Sequence, residues 1–258
     1  MIVKLWLIGG TSESVAIAEL IRGYGWSAIV SVTTASAQKL YPQGPPLEIH
    51  QGAMDFTQMQ AFVTEQGITA IIDASHPFAV NVSTSAIALG LPYLRFERST
   101  IDYGERGCRV PGWDDLFTEP YFNQLRGQRV LLTIGCQQLH RFAPYHSEVA
   151  WFARILPHPQ SLAQAIAAGF DGAQLIALRP PISHDLEQAL WQQWRITTVI
   201  TKASGEAGGE QMKQQLAAAL GVQLMVIDRP TVNYPQVTNN LATVKTFCRR
   251  YGYPQENL

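Results

Sequence analysis

The chain carries little charge, and neither sign dominates. Of its 258 residues, 19 are Lys or Arg and 20 are Asp or Glu, a formal net charge of -1. Charged residues make up 15%, below the roughly 25% of ordinary soluble domains. No long like-charge block is present, which argues against a nucleic-acid or anionic-membrane partner. At first sight the near-zero total also disfavours a ligand with many negative charges. Cysteine is scarce: Cys108, Cys136 and Cys248 are far apart, odd in number and in no CxxC pair. That excludes a disulfide framework and a structural zinc site, leaves no metal to expect, and fits a reducing compartment. Long apolar runs are missing as well, since none approaches the roughly 20 residues of a membrane span. The first run, Ile2–Ile8, contains a lysine and stops at Gly9-Gly10, too short for a signal peptide. The expectation is a soluble, cytoplasmic protein. Low-complexity sequence is absent, and a 47% hydrophobic content excludes disorder.

What is present is a repeated alternation of short apolar strands and amphipathic helices. In the first half, Ile2–Ile8, Ala28–Thr34, Leu47–His50, Ile68–Ala74 and Pro92–Phe96 read as strands. Helical spacing from Thr11 or Ser12 carries Ile17, Leu20 and Ile21, and Asp55 is placed to cap a helix bearing Met59, Phe62 and Val63. Pro77 occupies what reads as the first turn of the next helix. A stretch rich in Gly and Pro runs from Arg98 to about Gln128, and the domain boundary is placed near its end. Strands then resume at Val130–Ile134, Trp151–Ile155, Gln174–Leu178, Thr198–Thr201 and Leu224–Ile227, with helices at Ser161–Ala168, Glu210–Leu220 and Asn240–Tyr251. Strands buried on both faces and joined by helices imply parallel sheets. The expectation is an α/β protein of two doubly wound domains, residues 1–127 and 128–258, with a cleft between them.

Ligands of such sheets bind at the carboxyl ends of strands, so the loops there hold the candidate sites. Gly9-Gly10-Thr11-Ser12-Glu13 follows the first strand. Its glycines permit a sharp turn and close approach, its hydroxyls donate, and the helix after it offers amides to an anion. A tight turn with a Ser/Thr cap explains the same residues, and the loop lacks both the full GxGxxG fingerprint and a P-loop lysine. At the end of strand two, dinucleotide sites that take NAD place an acid for the ribose hydroxyl. Here Thr33, Thr34 and Ser36 stand with no carboxylate and with Lys39 close by, which favours NADP; plain β-propensity also accounts for the threonines. His76, after the fourth strand, suits a donor or proton carrier, or equally a structural hydrogen-bond partner. Lys202, Ser204 and three glycines, Gly205, Gly208 and Gly209, form a second loop able to hold an anion or simply to connect two elements in solvent.

Five segments in order, the Gly9–Glu13 loop, Asp73–Ala79, Leu94–Arg98, Lys202–Gly205 and Val226–Pro230, together resemble the precorrin-6A reductase family, which includes cobalt-precorrin-6A reductases. The resemblance spans nearly the whole chain. It implies two Rossmann-like domains and NADPH-dependent reduction of a double bond in a tetrapyrrole macrocycle, giving the 6B form in cobalamin biosynthesis. It also implies that Gly9, Gly10, Thr11, Ser12 and Glu13 hold cofactor phosphates, that Thr33, Thr34 and Ser36 lie near the 2′-phosphate, and that His76 lies near the cofactor or cleft. Lys202, Ser204, Gly205 and Arg229 would face the substrate, with His76 and Lys202 as candidate catalytic residues. Glu206 departs from what a carboxylate-rich substrate would want.

Two other readings remain to be weighed. A short-chain-type NADP reductase of another small substrate needs a Tyr-x-x-x-Lys pair, and Tyr41, Tyr93 and Tyr145 each lack the lysine. A non-catalytic NADP-binding sensor would leave the second anion loop without a purpose. No feature sets an oligomeric state, and a monomer is compatible with all of them. Finally, Lys39, Arg95, Arg98, Arg179, Lys202 and Arg229 fall at or beside expected strand ends, while Glu19, Glu65 and Glu187 fall within helices. A cationic cleft on an acidic surface would hide inside the small net charge.

Overall fold

The computed structural model describes residues 3–99, 101, 107–205 and 208–252. The chain forms two compact units, Met1–Ser99 with Pro230–Leu258, and Thr100–Arg229. The first opens with β1 (Lys4–Ile8), α1 (Ser12–Gly23), β2 (Ala28–Val32), α2 (Ala35–Gln38), β3 (Leu47–Gln51), α3 (Phe56–Gln66), β4 (Ile68–Asp73), α4 (Val80–Ala88) and β5 (Tyr93–Phe96). The second contains β6 (Gly107–Val110), β7 (Arg129–Leu132), β8 (Ala150–Ile155), α5 (Pro159–Ala167), β9 (Leu175–Ala177), α6 (His184–Gln193), β10 (Thr198–Lys202), α7 (Glu210–Leu220) and β11 (Gln223–Ile227). The chain then returns to the first unit with β12 (Val237–Thr238) and α8 (Leu241–Tyr251).

Every strand pair is parallel, and the two sheets run β3-β2-β1-β4-β5-β12 and β9-β8-β7-β10-β11-β6. Both are therefore the 3-2-1-4-5-6 order of the doubly wound fold, with the order reversing between β1 and β4 and between β7 and β10. The sixth places are exchanged. β6 follows β5 in sequence yet pairs with β11, and β12 follows β11 yet pairs with β5.

That exchange corrects the expected boundary at residue 127. The division falls after Ser99 and again after Arg229, because pairing assigns β6 to the second sheet and β12 to the first. Both strands went unread: β6 has four residues inside a Gly- and Pro-rich stretch, and β12 has two. The helix expected at Asn240–Tyr251 is present but belongs to the first unit, where Val244, Phe247 and Cys248 join the core of Leu5, Leu7, Ile17, Ile21 and Trp26. Trp6 and Ile8 point to the other sheet face, against Met59, Phe62 and Ala86 of α3 and α4. A sheet buried on both faces explains why β1 reads as a continuous apolar run.

Local signals set the helix starts. Thr11 caps α1 and Asp55 caps α3, each in a reciprocal capping box. Pro77 differs from expectation. It stands inside a turn closed by the Ala79 amide on the His76 carbonyl at 2.8 Å, and α4 starts three residues later. Proline's fixed φ suits the second position of such a turn as well as a helix start. Ile2, Gly104, Glu206 and Ala207 lie outside the described residues. Among those described, no helix is long and apolar enough to cross a membrane.

Candidate active site

In the first unit the loops after β1, β2, β3 and β4 enclose a cavity of about 260 Å³ at the point where strand order reverses. Gly9, Gly10, Ser31, Thr33, Gly52, Ser75 and His76 line it, over a floor that includes Trp6, Met54 and Met59. The Trp6 indole is oriented by its hydrogen bond to Ser31 Oγ, 2.8 Å long. This volume lies near the lower end of small-molecule sites, about 300 Å³, and suits a base and ribose rather than a whole dinucleotide.

The loop after β1 is internally satisfied except where a ligand would meet it. The Thr11 amide donates to Ser14 Oγ at 3.0 Å and the Ser14 amide to Thr11 Oγ1 at 3.2 Å. Thr11 Oγ1 donates on to the Ala74 carbonyl at 2.7 Å, tying the β1 and β4 loops together. The Gly10 amide turns to the Tyr41 hydroxyl at 2.6 Å. The Ser12 and Glu13 amides, in the first turn of α1, accept no such internal arrangement, and no described residue pairs with them. Gly10, at φ +105°, makes the turn that presents them. Glu13 itself would repel a phosphate, but its carboxylate pairs with Arg98 at 2.7 Å, so what it offers an anion is its amide.

Thr33 lines the cavity, whereas Thr34 and Ser36 do not. Thr34 caps α2 through the Ala37 amide at 3.2 Å and meets Ser36 Oγ at 3.1 Å. All three are exposed, as is Lys39, and no carboxylate stands from Ser31 to Tyr41. His76 Nδ1 accepts the Phe78 amide at 3.2 Å, which leaves the neutral ring its proton on Nε2, a donor.

Beneath the His76 loop lies a polar network that the sequence did not reveal. Asp73, 0% exposed, accepts from the Ser75 amide at 2.9 Å, Ser83 Oγ at 2.5 Å, Tyr93 Oη at 2.5 Å and Arg95 Nη1 at 2.9 Å. Arg95, 1% exposed, also reaches Glu97 at 2.8 Å and Ser75 Oγ at 3.1 Å. Burial works against its charge, yet Asp73 and Glu97 outweigh it and hold the guanidinium above its usual range. The Tyr93 hydroxyl is driven far up by burial and by Asp73. Arg95 is thus a sealed structural cation, which removes it from the expected set of cleft charges. Glu187 is likewise no surface acid: it is fully buried against Arg154 and Trp191 Nε1.

In the second unit, Lys202 ends β10, and Ala203, Ser204 and Gly205 follow it, buried. Burial lowers the Lys202 pKa, opposed by Cys136. The Gly205 amide donates to the carboxylate of Glu210, so the protein's own anion takes a place there. Lys213, 2% exposed, donates to the Gly208 carbonyl at 2.7 Å, and burial together with Arg154 pushes it down to about 8. Arg229 is anchored by the Ala203 carbonyl at 2.7 Å. The two loops, similar in composition, differ in kind. In the first a neutral phenol takes the inner amide and two helix amides stay unpaired; in the second an internal carboxylate is already seated. Among the described residues, no group of three His, Cys, Asp or Glu side chains could hold a metal.

Parallel sheets in this strand order, with a glycine turn and capped helix at the first reversal, define a protein of the Rossmann-like α/β class. A family model described as precorrin-6x reductase CbiJ/CobK matches residues 4–249. The chain belongs to that family. It is 46% identical over 251 residues to a Synechocystis protein named cobalt-precorrin-6A reductase, covering 96% of each chain. It is 28% identical over 258 residues to a Rhodobacter capsulatus precorrin-6A reductase, covering 96% of this chain and 97% of that one. The solved structure of CobK precorrin-6A reductase aligns with TM-score 0.76 at 26% identity, over 99% of this chain and all of that one. The protein is an oxidoreductase, and membership of a reductase family implies a nicotinamide cofactor.

Proposed function

We propose that this chain reduces a double bond of the macrocycle precorrin-6A, or of its cobalt-bearing form, to the 6B form in cobalamin biosynthesis, with NADPH as reductant. The observation that carries the reading is the family match over residues 4–249, joined to a switch-point cavity lined by Gly9, Gly10, Thr33 and His76 of the expected cofactor set. Gly10, Thr11, Ser12 and Glu13 would hold the phosphates, chiefly through the Ser12 and Glu13 amides, while Gly9 shapes the turn. Thr33, Thr34 and Ser36, exposed and without a neighbouring acid, suit a 2′-phosphate better than a bare ribose. His76, which lines the cavity, would lie beside the bound nucleotide. When bound, a reduced nicotinamide supplies a hydride.

On the substrate side Gly205, whose amide the Glu210 carboxylate takes, shapes the loop after β10, and we assign Lys202, Ser204 and Arg229 to the tetrapyrrole. Its acidic side chains need cations, and Lys202 and Arg229 supply them. Lys202 is also the candidate proton donor on this side, a partly buried ammonium at the end of β10 whose pKa burial lowers. The test follows NADPH absorbance with each tetrapyrrole. Substrate-dependent oxidation with formation of the 6B product is expected. Cofactor binding without turnover on either form would sink the reading and leave a sensor. Gly10→Asp, which adds a negative charge and a side chain at φ +105°, is expected to abolish NADPH binding.

A further inference from the structure

Tyr41 occupies a position that neither the mechanism nor the glycine pattern explains. Its ring is 3% exposed within the core beside Leu7, Val30 and Val32. Its hydroxyl accepts the Gly10 amide at 2.6 Å and lies 2.6 Å from Ser14 Oγ. Ser14 spends its own proton on the Thr11 carbonyl at 2.6 Å, so the phenol is the donor to Ser14. A Cβ at Gly9 would stand 2.4 Å from that oxygen and 3.1 Å from Cζ. The missing side chain at Gly9 thus makes room for a tyrosine, while Gly10 has open space around its Cβ position and needs only its dihedral.

Resting on the cofactor reading above, we propose that Tyr41 is a positioning residue for nicotinamide-nucleotide binding, its hydroxyl holding the Gly9–Gly10 turn so that the Ser12 and Glu13 amides stay directed at phosphate. One oxygen takes the turn's inner amide and the capping serine together. Without it the Gly10 amide is left unsatisfied or rotates outward, and the turn loses its single conformation. Tyr41 also lies three residues after the end of α2, and its amide bonds the Gln38 carbonyl at 3.3 Å. The segment bearing Thr34, Ser36 and Lys39 is therefore tied to the phosphate loop through one side chain.

The test uses the full chain. Tyr41→Phe keeps the ring in the core and is expected to raise the NADPH KM about tenfold or more, with kcat and the tetrapyrrole KM within about twofold and thermal stability retained. A merely structural role would instead move stability or all constants together, and that result overturns the proposal. Gly9→Ala in the native background brings Cβ against the hydroxyl and is expected to raise the NADPH KM; in the Tyr41→Phe background the nearest contact relaxes to 3.1 Å and the added cost shrinks. Equal costs in both backgrounds also overturn it. If Gly10→Asp abolishes NADPH binding but Tyr41→Phe leaves the KM unchanged, the positioning role alone fails. If Gly10→Asp binds NADPH normally, the cofactor reading itself fails.

Discussion

Asp73 gathers donors from a loop, from α4 and from β5, and neutralises a guanidinium that has no solvent contact. Removing one partner of a buried pair costs about 3–5 kcal/mol when the other is left alone, and Glu97, which also holds Arg95, puts the loss of Asp73 toward the lower end. Asp73→Asn is expected to lower unfolding free energy by that order in urea titration, and to loosen the His76 loop above it. Arg95→Met, which removes the cation and leaves Asp73 unpaired, should destabilise similarly. At Lys202 the consequence concerns pH. Burial sets its pKa below the usual 10.5, so its charge disappears at lower pH than an ordinary lysine's as pH rises. The tetrapyrrole KM should therefore climb on the alkaline side. Lys202→Arg, which keeps its charge there, should shift that rise upward; superimposable KM profiles would remove Lys202 from the substrate site. At this scale the positions of the glycine turn, His76 and Lys202 at the ends of β1, β4 and β10 were legible, because each sits beside its strand in sequence. Asp73 with Arg95, and Gly10 with Tyr41, were not, because their partners come together only when β4 meets β5 and when the segment after α2 folds under β1.

The elements themselves were largely readable. α7 was placed at Glu210–Leu220 to the residue, and the capping Asp55 was identified, since both rest on local signals. β6 and β12 were not: β6 is Gly-Cys-Arg-Val with no apolar run and lies in a Gly- and Pro-rich stretch, and β12 has only two residues. Gly205 in the second loop was over-read for a different reason: composition shows hydroxyls and glycines but not that the Glu210 carboxylate folds back onto the Gly205 amide. α2 offers a clean element-scale test. Asp caps a helix about as well as Thr, so Thr34→Asp should leave α2 intact. Its new charge would sit where the 2′-phosphate is assigned, and the NADPH KM is expected to rise at least about tenfold with NADH little changed. Equal effects on both cofactors would move the 2′-phosphate elsewhere.

Across the whole molecule, the returning β12 means that the first sheet is not the product of one uninterrupted stretch of chain, whereas the second is built wholly within Thr100–Arg229. A chain ending at Arg229 would lack β12 and the three core residues of α8, Val244, Phe247 and Cys248. Losing that burial costs on the order of 5 kcal/mol, comparable to the whole stability of many domains. The truncated chain is expected to bind no NADPH and to show a lower thermal midpoint, by nucleotide fluorescence and circular dichroism. Full binding by that fragment would show that the first unit closes without its returning segment. The expected boundary at residue 127 missed this because turn-rich composition marks where a chain bends, not which sheet it joins next.

The same exchange sets an order of events during synthesis. β5 is made early, yet the strand that covers its edge arrives only after residues 100–229 have been translated. At the usual 5–20 residues per second, that edge stays bare for roughly 6 to 26 seconds on each nascent chain. An uncovered strand edge is a template for pairing with another chain. The interval thus gives holding chaperones something to protect, and makes crowded polysomes the place where this fold is most exposed to error.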